Sequence, residues 1–188
     1  ELNVMLMHLA EKNGASIECN EKCVDIDFKT GTTTFENTFT KKIKKVTSDL
    51  VVGADGAFSH IRSQMIKRRR QQYSQHYIDH AYKELLIPAN EDGTHKIEKN
   101  ALHIWPRGNF MLIALPNMDG SYTCTLFAPY EGKYSFEELN SKENILAYFN
   151  KIFPDFAELV PDLYDQFISN PTSPMAIMRT DPWHVFDK

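Results

Sequence analysis

No run of about eighteen consecutive apolar residues occurs anywhere in these 188 residues, which excludes an ordinary bilayer-spanning helix within them. Cysteine is scarce. Cys19, Cys23 and Cys124 are odd in number, and a chain of this size needs no disulfide framework, so a reducing compartment is expected. Cys19 and Cys23 lack Cys-x-x-Cys spacing and read as small buried hydrophobes rather than a redox pair. Neither sign of charge dominates: a formal net charge of -4 argues against general nucleic-acid binding. The one basic cluster, Lys67 to Arg70, reads as a solvated linker between subdomains. Internal repeats, low-complexity segments and a secretory leader pattern are all missing. A metal site also lacks ligands: His76 and His80 flank Asp79 with helical spacing, but Tyr77 to Ile87 reads as extended and offers no third ligand.

What is present suits a folded chain, since 42% of the residues are hydrophobic. Leu2, Met5, Leu6, Leu9 and Ala10 recur at helical spacing, and Asn13-Gly14 supplies a stop. Strands are expected at Ser16–Cys19 and Cys23–Phe28, then a turn over Lys29–Thr34, a return strand from Thr33 to Phe35 and a charged edge or loop at Lys41–Lys45. Leu50, Val51 and Val52 are apolar at every position, as in a strand covered on both faces. Beyond the basic run, strands at Ala81–Ile87, Ala101–Trp105, Phe110–Leu115 and Tyr122–Phe127, with Asn117–Gly120 as a hairpin turn, form an antiparallel sheet. Helices are expected at Phe136–Asn140 with Glu143–Ile152 and at Asp155–Leu163, punctuated by Pro154 and Pro161.

The segment Asp49 to Arg62 carries the most chemistry. Its apolar run delivers Asp55 to a turn bracketed by Gly53 and Gly56, where an ionised carboxylate can accept hydrogen bonds from ribose hydroxyls. Ser59 is placed to cap the next helix, whose amino end, with Arg62, favours phosphate. A strand-turn-helix junction with an acid in the turn is the plain structural reading. Gly53, Asp55, Gly56, Ser59 and Arg62 also match Gly-x-Asp-Gly-x-x-Ser-x-x-Arg, and the stretch resembles the motif of the flavoprotein aromatic hydroxylases, which use FAD and NAD(P)H.

Three further blocks, Tyr77–Pro88, Asn100–Asn117 and Tyr122–Pro129, are similar to the kynurenine-hydroxylating branch of that family. The resemblance implies an α/β class, α+β overall: part of a Rossmann-like FAD-binding domain over residues 1–67, then an antiparallel-sheet substrate domain with helices over 68–188. FAD and NADPH are the implied cofactors, and L-kynurenine and O2 the implied partners, with oxygen transferred to the ring through a flavin hydroperoxide. Asp55, Gly56, Cys23, His60 and Arg62 fall at implied cofactor-binding positions, Cys23 at a strand end that meets adenine through its backbone. Leu102, Met111, Ile113, Leu115 and Phe127 fall on the implied apolar wall of the substrate pocket. Without the resemblance, those five are ordinary core. No catalytic acid, base or nucleophile and no metal site is assigned.

The resemblance also implies the middle of a longer enzyme, inactive by itself. The chain opens on Glu1 inside a helix and stops at Lys188 on what reads as an unfinished strand, Trp183–Phe186. The family's Gly-x-Gly-x-x-Gly turn, its Gly-Asp-Ala-Ala-His segment and the region that places the eukaryotic enzyme in the mitochondrial outer membrane lie outside it; this segment itself is expected to be soluble. Two alternatives stand beside this reading: a flavin hydroxylase for another aromatic compound, and a non-catalytic segment or binding module.

Overall fold

The computed structural model describes residues 2–68 and 70–185. Its elements run α1 (Leu2–Lys12), β1 (Glu21–Asp27), β2 (Thr32–Asn37), β3 (Ile43–Thr47), α2 (His60–Arg68), β4 (Gln72–Ile87), β5 (His103–Arg107), β6 (Phe110–Pro116), β7 (Tyr122–Pro129), α3 (Lys142–Ile152), α4 (Pro154–Ala157), α5 (Leu163–Ser169) and β8 (Thr172–Asp181). They divide into two compact units. One holds the residues up to Ser74 and those from Met178 onward; the other is Gln75–Ile177.

In the first unit, β1, β2 and β3 make an antiparallel meander. Most of its apolar residues are exposed, so the core is small: Ile26, Phe28, Met65 of α2 and Val185, with Val51 and Ile61 packed against them. Two expected strands do not form. Ser16–Cys19 pairs with nothing, because Asn20 takes a left-handed backbone (φ 64°) that breaks the chain's path into β1, and the Glu18 carboxylate is held instead by the Lys44 ammonium. Leu50–Val52 likewise joins no ladder. Only Val51 turns inward, while Leu50 and Val52 are 66% and 76% exposed, so this run is not covered on two faces. Cys19 is exposed and Cys23 half-buried, against the expectation of two buried hydrophobes. The basic run is not a free linker either. Lys67 and Arg68 close α2, where Arg68 donates to the Ile26 carbonyl and to Asp25 at 3.1 Å; Arg69 lies outside the described residues.

The second unit is a sheet layered with helices. Adjacent strands run in the order β5-β6-β7-β4-β8. Alternation decides which side chains meet the helices: Leu85 and Ile87 of β4, Leu112 and Ala114 of β6, and Tyr122, Cys124, Leu126 and Ala128 of β7 are all buried. They pack against Ile145, Tyr148 and Phe149 of α3, Phe153, Phe156 of α4, and Leu163 and Phe167 of α5. The spacing of the three α3 residues puts them on one helix face, and Ser141 caps that helix by accepting from Asn144 N at 3.2 Å. Burial pushes the Cys124 thiol up to about 12, which keeps it protonated and inert. Lys83 is the one buried ammonium in this core among the described residues. It donates to the Phe167 and Asn170 carbonyls at 2.8 and 2.7 Å, satisfying the carboxyl end of α5, and burial lowers its pKa.

Two helices and one strand differ from expectation. Phe136–Asn140 is a turn: Phe136 N and Glu137 N bond back to the Pro129 and Tyr130 carbonyls, so no i to i-4 pattern starts. Asp155–Leu163 breaks before Pro161 into α4 and a fresh start at Leu163, so α5 was not anticipated. Trp183–Val185 is not a strand, and Phe186 lies outside the described residues. The unanticipated β8 carries Pro174, which weakens any strand signal and is tolerated here because β8 is an edge. Phe149, fully buried among four other rings, anchors the helical layer. Phe149→Ala is expected to cost about 3–5 kcal/mol, read as a lower urea midpoint; a loss under about 1 kcal/mol on the same scale contradicts this account of the core.

Candidate functional site

In the first unit, the turn at Asp55 is built by its own carboxylate. Asp55 Oδ1 accepts from the Ser59 hydroxyl, and Oδ2 accepts from His60 N at 2.7 Å and Ile61 N at 3.2 Å. Ser59 Oγ in turn accepts from Arg62 N at 3.0 Å. Two side chains therefore satisfy the free N–H groups at the amino end of α2, where negative charge is favoured. Partial burial pulls the Asp55 pKa upward, but the Ser59 hydroxyl and the Ile61 and His60 amides together outweigh it and hold the carboxyl below its ordinary value. The group is ionised at neutral pH. It is also exposed, and a carboxylate has about four acceptor positions, so capacity remains for hydroxyl donors from a ligand.

Glycine matters at two positions here. Gly56 has φ +77°, and nothing lies within 4 Å of where a Cβ would sit, which leaves its backbone open to close approach. At Gly53 a Cβ would come 2.9 Å from Ile61 Cγ2, so only glycine lets the turn pack this closely on α2. Arg62 points back at the turn: it donates to Gly56 O at 3.4 Å and to Ala57 O, and its guanidinium lies 4.9 Å over the Tyr73 ring. These partners make Arg62 a brace for the turn. His60 Nε2 donates to Val24 O at 2.8 Å, tying α2 to the bulge between Cys23 and Asp25 in β1. Cys23 sits inside β1 opposite Phe35 and not at a strand end. Burial, then the nearby Asp55 charge, raises its thiol pKa, so Cys23 and Asp55 share one neighbourhood. Exposed glycine backbone and an ionised carboxylate with spare acceptor capacity fit the ribose and pyrophosphate of a dinucleotide such as FAD.

A cavity of about 270 Å³ lies behind the turn in the same unit, lined by Ile26, Phe28, Val51, Ile61 and Met65 among others. Gln71 reaches it with a buried Oε1 that has no partner among the described residues, while its Nε2 donates to Pro182 O at 2.6 Å. Sequence reasoning missed this cavity, since its walls come from segments far apart in the chain.

In the second unit, the sheet face turned away from α3–α5 is apolar and open. Met111, Ile113 and Leu115 alternate with the buried Leu112 and Ala114, and Phe127 stands opposite Met111 across β6–β7. Leu102 precedes β5, outside its paired residues, and is exposed. Four of the five expected wall positions therefore share one side of the sheet, and Leu102 lies just before its edge strand. The register adds Ile104, Tyr82 and Leu86, which the period-two pattern of β4 and β5 already carries; the Tyr82 and Phe127 ring centroids are 6.4 Å apart. His80 joins the same side and bonds through Nε2 to Asn109 O at 2.6 Å. No group of three or more His, Cys, Asp or Glu side chains is arranged to hold a metal ion among the described residues, and no helix there is long and apolar enough to cross a membrane.

The profile of the FAD binding domain family matches residues 1–153. Over 187 residues the chain is 46% identical to the kynurenine 3-monooxygenase of Christiangramia forsetii, covering all of this chain and 42% of that protein. It is 46% identical over 169 residues to the enzyme of the same name from Dictyostelium discoideum, covering 90% of this chain and 36% of that protein. The chain thus spans about two fifths of the length of these relatives. Among solved structures, the tetrameric form of 2-methyl-3-hydroxypyridine-5-carboxylic acid oxygenase superposes with a TM-score of 0.72 at 19% identity, covering 97% of this chain and 46% of that one, a likeness of fold.

The Asp55 cap gives a pH prediction. Its folded pKa is depressed, so its contribution to stability is present above the unfolded value of about 3.9 and is lost as pH falls through the folded value. Asp55→Asn is expected to lower stability by about 0.5–1 kcal/mol at pH 7, and the gap to the parent should close below about pH 4. Denaturation midpoints of both proteins across pH 3–7 check this; a gap that widens toward acid contradicts it.

Proposed function

Because the chain belongs to the FAD binding domain family, we propose that it is part of an FAD- and NADPH-dependent aromatic monooxygenase that hydroxylates L-kynurenine to 3-hydroxykynurenine. The observation that carries this reading is the likeness to enzymes named kynurenine 3-monooxygenase along all of this chain, including its apolar sheet side as well as its acidic glycine turn. Sequence likeness confined to the turn would have left the substrate open, since that turn serves any nucleotide-sugar ligand.

Asp55, with the backbone at Gly56, holds the FAD ribose and pyrophosphate region. Ser59 and Arg62 position Asp55 and the turn, His60 clamps α2 to β1, and Cys23 contributes backbone alone. When bound, the flavin supplies the redox chemistry, taking reducing equivalents from NADPH and activating O2 so that one oxygen atom enters the aromatic ring. This chain's residues bind, orient and exclude water. Leu102, Met111, Ile113, Leu115 and Phe127 present an apolar surface to the substrate ring, and a dry surface suppresses wasteful breakdown of activated oxygen. No side chain in either unit is assigned a proton-transfer role. Membrane attachment, and with it a place at the mitochondrial outer membrane, belongs in this reading to regions beyond this sequence.

Two measurements on the complete enzyme that contains this chain test the proposal. L-Kynurenine should stimulate NADPH oxidation with matching formation of 3-hydroxykynurenine; stimulation by other arenes but not by kynurenine supports a hydroxylase of different specificity. Asp55→Ala should weaken FAD binding by tenfold or more, the size of lost hydrogen bonds to a charged group, while leaving the position of ring hydroxylation unchanged. Unaltered FAD affinity, measured by flavin fluorescence, contradicts the role given to Asp55.

A further inference from the structure

Along part of β4, helix α5 takes the place of a neighbouring strand. Gln166 Oε1 accepts from Leu86 N at 2.7 Å and Gln166 Nε2 donates to Leu86 O at 3.0 Å, the same two-point exchange that one strand residue makes with its partner. One turn further on, Asn170 Nδ2 donates to Glu84 O at 2.8 Å, and the chain enters β8, the strand next to β4, just after it. Gln166 Nε2 also donates to Asp162 Oδ1 at 2.8 Å, so a single orientation of this amide satisfies all three of its partners. In an antiparallel ladder alternate residues bond to opposite neighbours. Glu84 and Leu86 thus direct their backbone groups to α5, while Leu85 and Ile87 direct theirs to β7. Lys83 adds a further hold through the Phe167 and Asn170 carbonyls. The residue clasped most tightly belongs to the open side of the sheet: Leu86 lies on the same side as Tyr82, Met111, Ile113 and Phe127, and is 41% exposed.

We propose that Gln166 is a positioning residue for the aromatic substrate, acting through Leu86, with Asn170 as its second point of hold. This rests on the reading of the open sheet side as the substrate wall, and extends what shapes that wall to a residue of the helical layer. A strand end whose backbone groups lack partners opens locally at little cost. Without the Gln166 clasp, β4 loosens from Glu84 onward and Leu86 leaves its place in the wall. A ring resting on a loosened wall is held less well, and water reaches it more easily. Gln166 exchanges no proton with the ring.

The experiment compares the complete enzyme with its Gln166→Leu variant. In amide hydrogen exchange, Leu86 N–H should exchange about tenfold faster or more in the variant, the size of two lost hydrogen bonds, while Ile87 N–H, directed to β7, is unchanged. Equal exchange at Leu86 overturns the clasp. Binding of 2-aminoacetophenone, a neutral aryl ketone without an amino-acid end, needs no turnover and is followed at the Leu86 methyl groups by NMR. The variant should bind it about threefold to tenfold more weakly. With L-kynurenine and NADPH the variant should show a higher KM, little change in kcat, unchanged FAD affinity and more hydrogen peroxide released per NADPH consumed. Faster exchange at Leu86 with unaltered arene binding and unaltered peroxide yield marks a purely structural clasp and overturns the proposal. If the parent does not hydroxylate kynurenine, yet the aryl ketone moves the Leu86 methyl resonances and binds more weakly to the variant, the reaction assignment fails and the role of Gln166 stands. An aryl ketone that binds the parent without moving those resonances overturns that role. Should Gln166→Leu fail to fold, Asn170→Ala, which loses only the bond to Glu84 O, is expected to give the same pattern at smaller size, and its absence there counts equally against the proposal.

Discussion

The two-residue period of the β-strands governs the larger unit. With side chains alternating across the sheet, residues such as Leu112, Ala114, Cys124 and Leu126 are committed to the helices, and their neighbours Met111, Ile113, Leu115 and Phe127 are necessarily turned the other way. Shifting one strand by a single residue would exchange the two sets and destroy both surfaces. The aromatic cluster around Phe149 and the Lys83 links to the end of α5 hold one side so firmly that the other remains a stable surface without helical cover. The core thereby determines the shape of the wall proposed for the substrate.

A different constraint governs the smaller unit. Its core is slight, and the turn after Val51 depends on polar bonds more than on buried area. Asp55 and Ser59 satisfy the amino end of α2, Arg62 braces the carbonyls of Gly56 and Ala57, and His60 fastens the helix to Val24. The same carboxylate that closes this network remains exposed with acceptor positions to spare. The binding role proposed for Asp55 thus falls on the side chain that builds the turn, and loss of Asp55 will disturb the shape of the turn as well as any ligand contact.

The antiparallel sheet was legible because alternation is a local property: Phe110–Leu115 and Tyr122–Phe127 differ from β6 and β7 by one or two residues at most. Glycine chemistry also made the Asp55 turn readable. Other features depend on partners that local pattern does not reveal. Leu50–Val52 has strand composition, yet no described strand lies beside it to accept its hydrogen bonds. The residues 136–140 have helical composition, but their N–H groups are claimed by carbonyls at the end of β7. Arg62 looked available to phosphate from its position at a helix start, whereas its guanidinium is taken up by the turn.

In the proposed function an aromatic ring lies on the side of the sheet that the helices leave open. Methyl NMR spectra of the complete enzyme, with labelled Ile, Leu and Met, report this directly as L-kynurenine is added, because an aromatic ring shifts the methyl groups beneath it. Resonances of Met111, Ile113 and Leu115 should move in proportion to occupancy, while those of Leu112 and Leu126 on the helical side stay in place. Saturable binding with those three resonances unmoved would contradict the account.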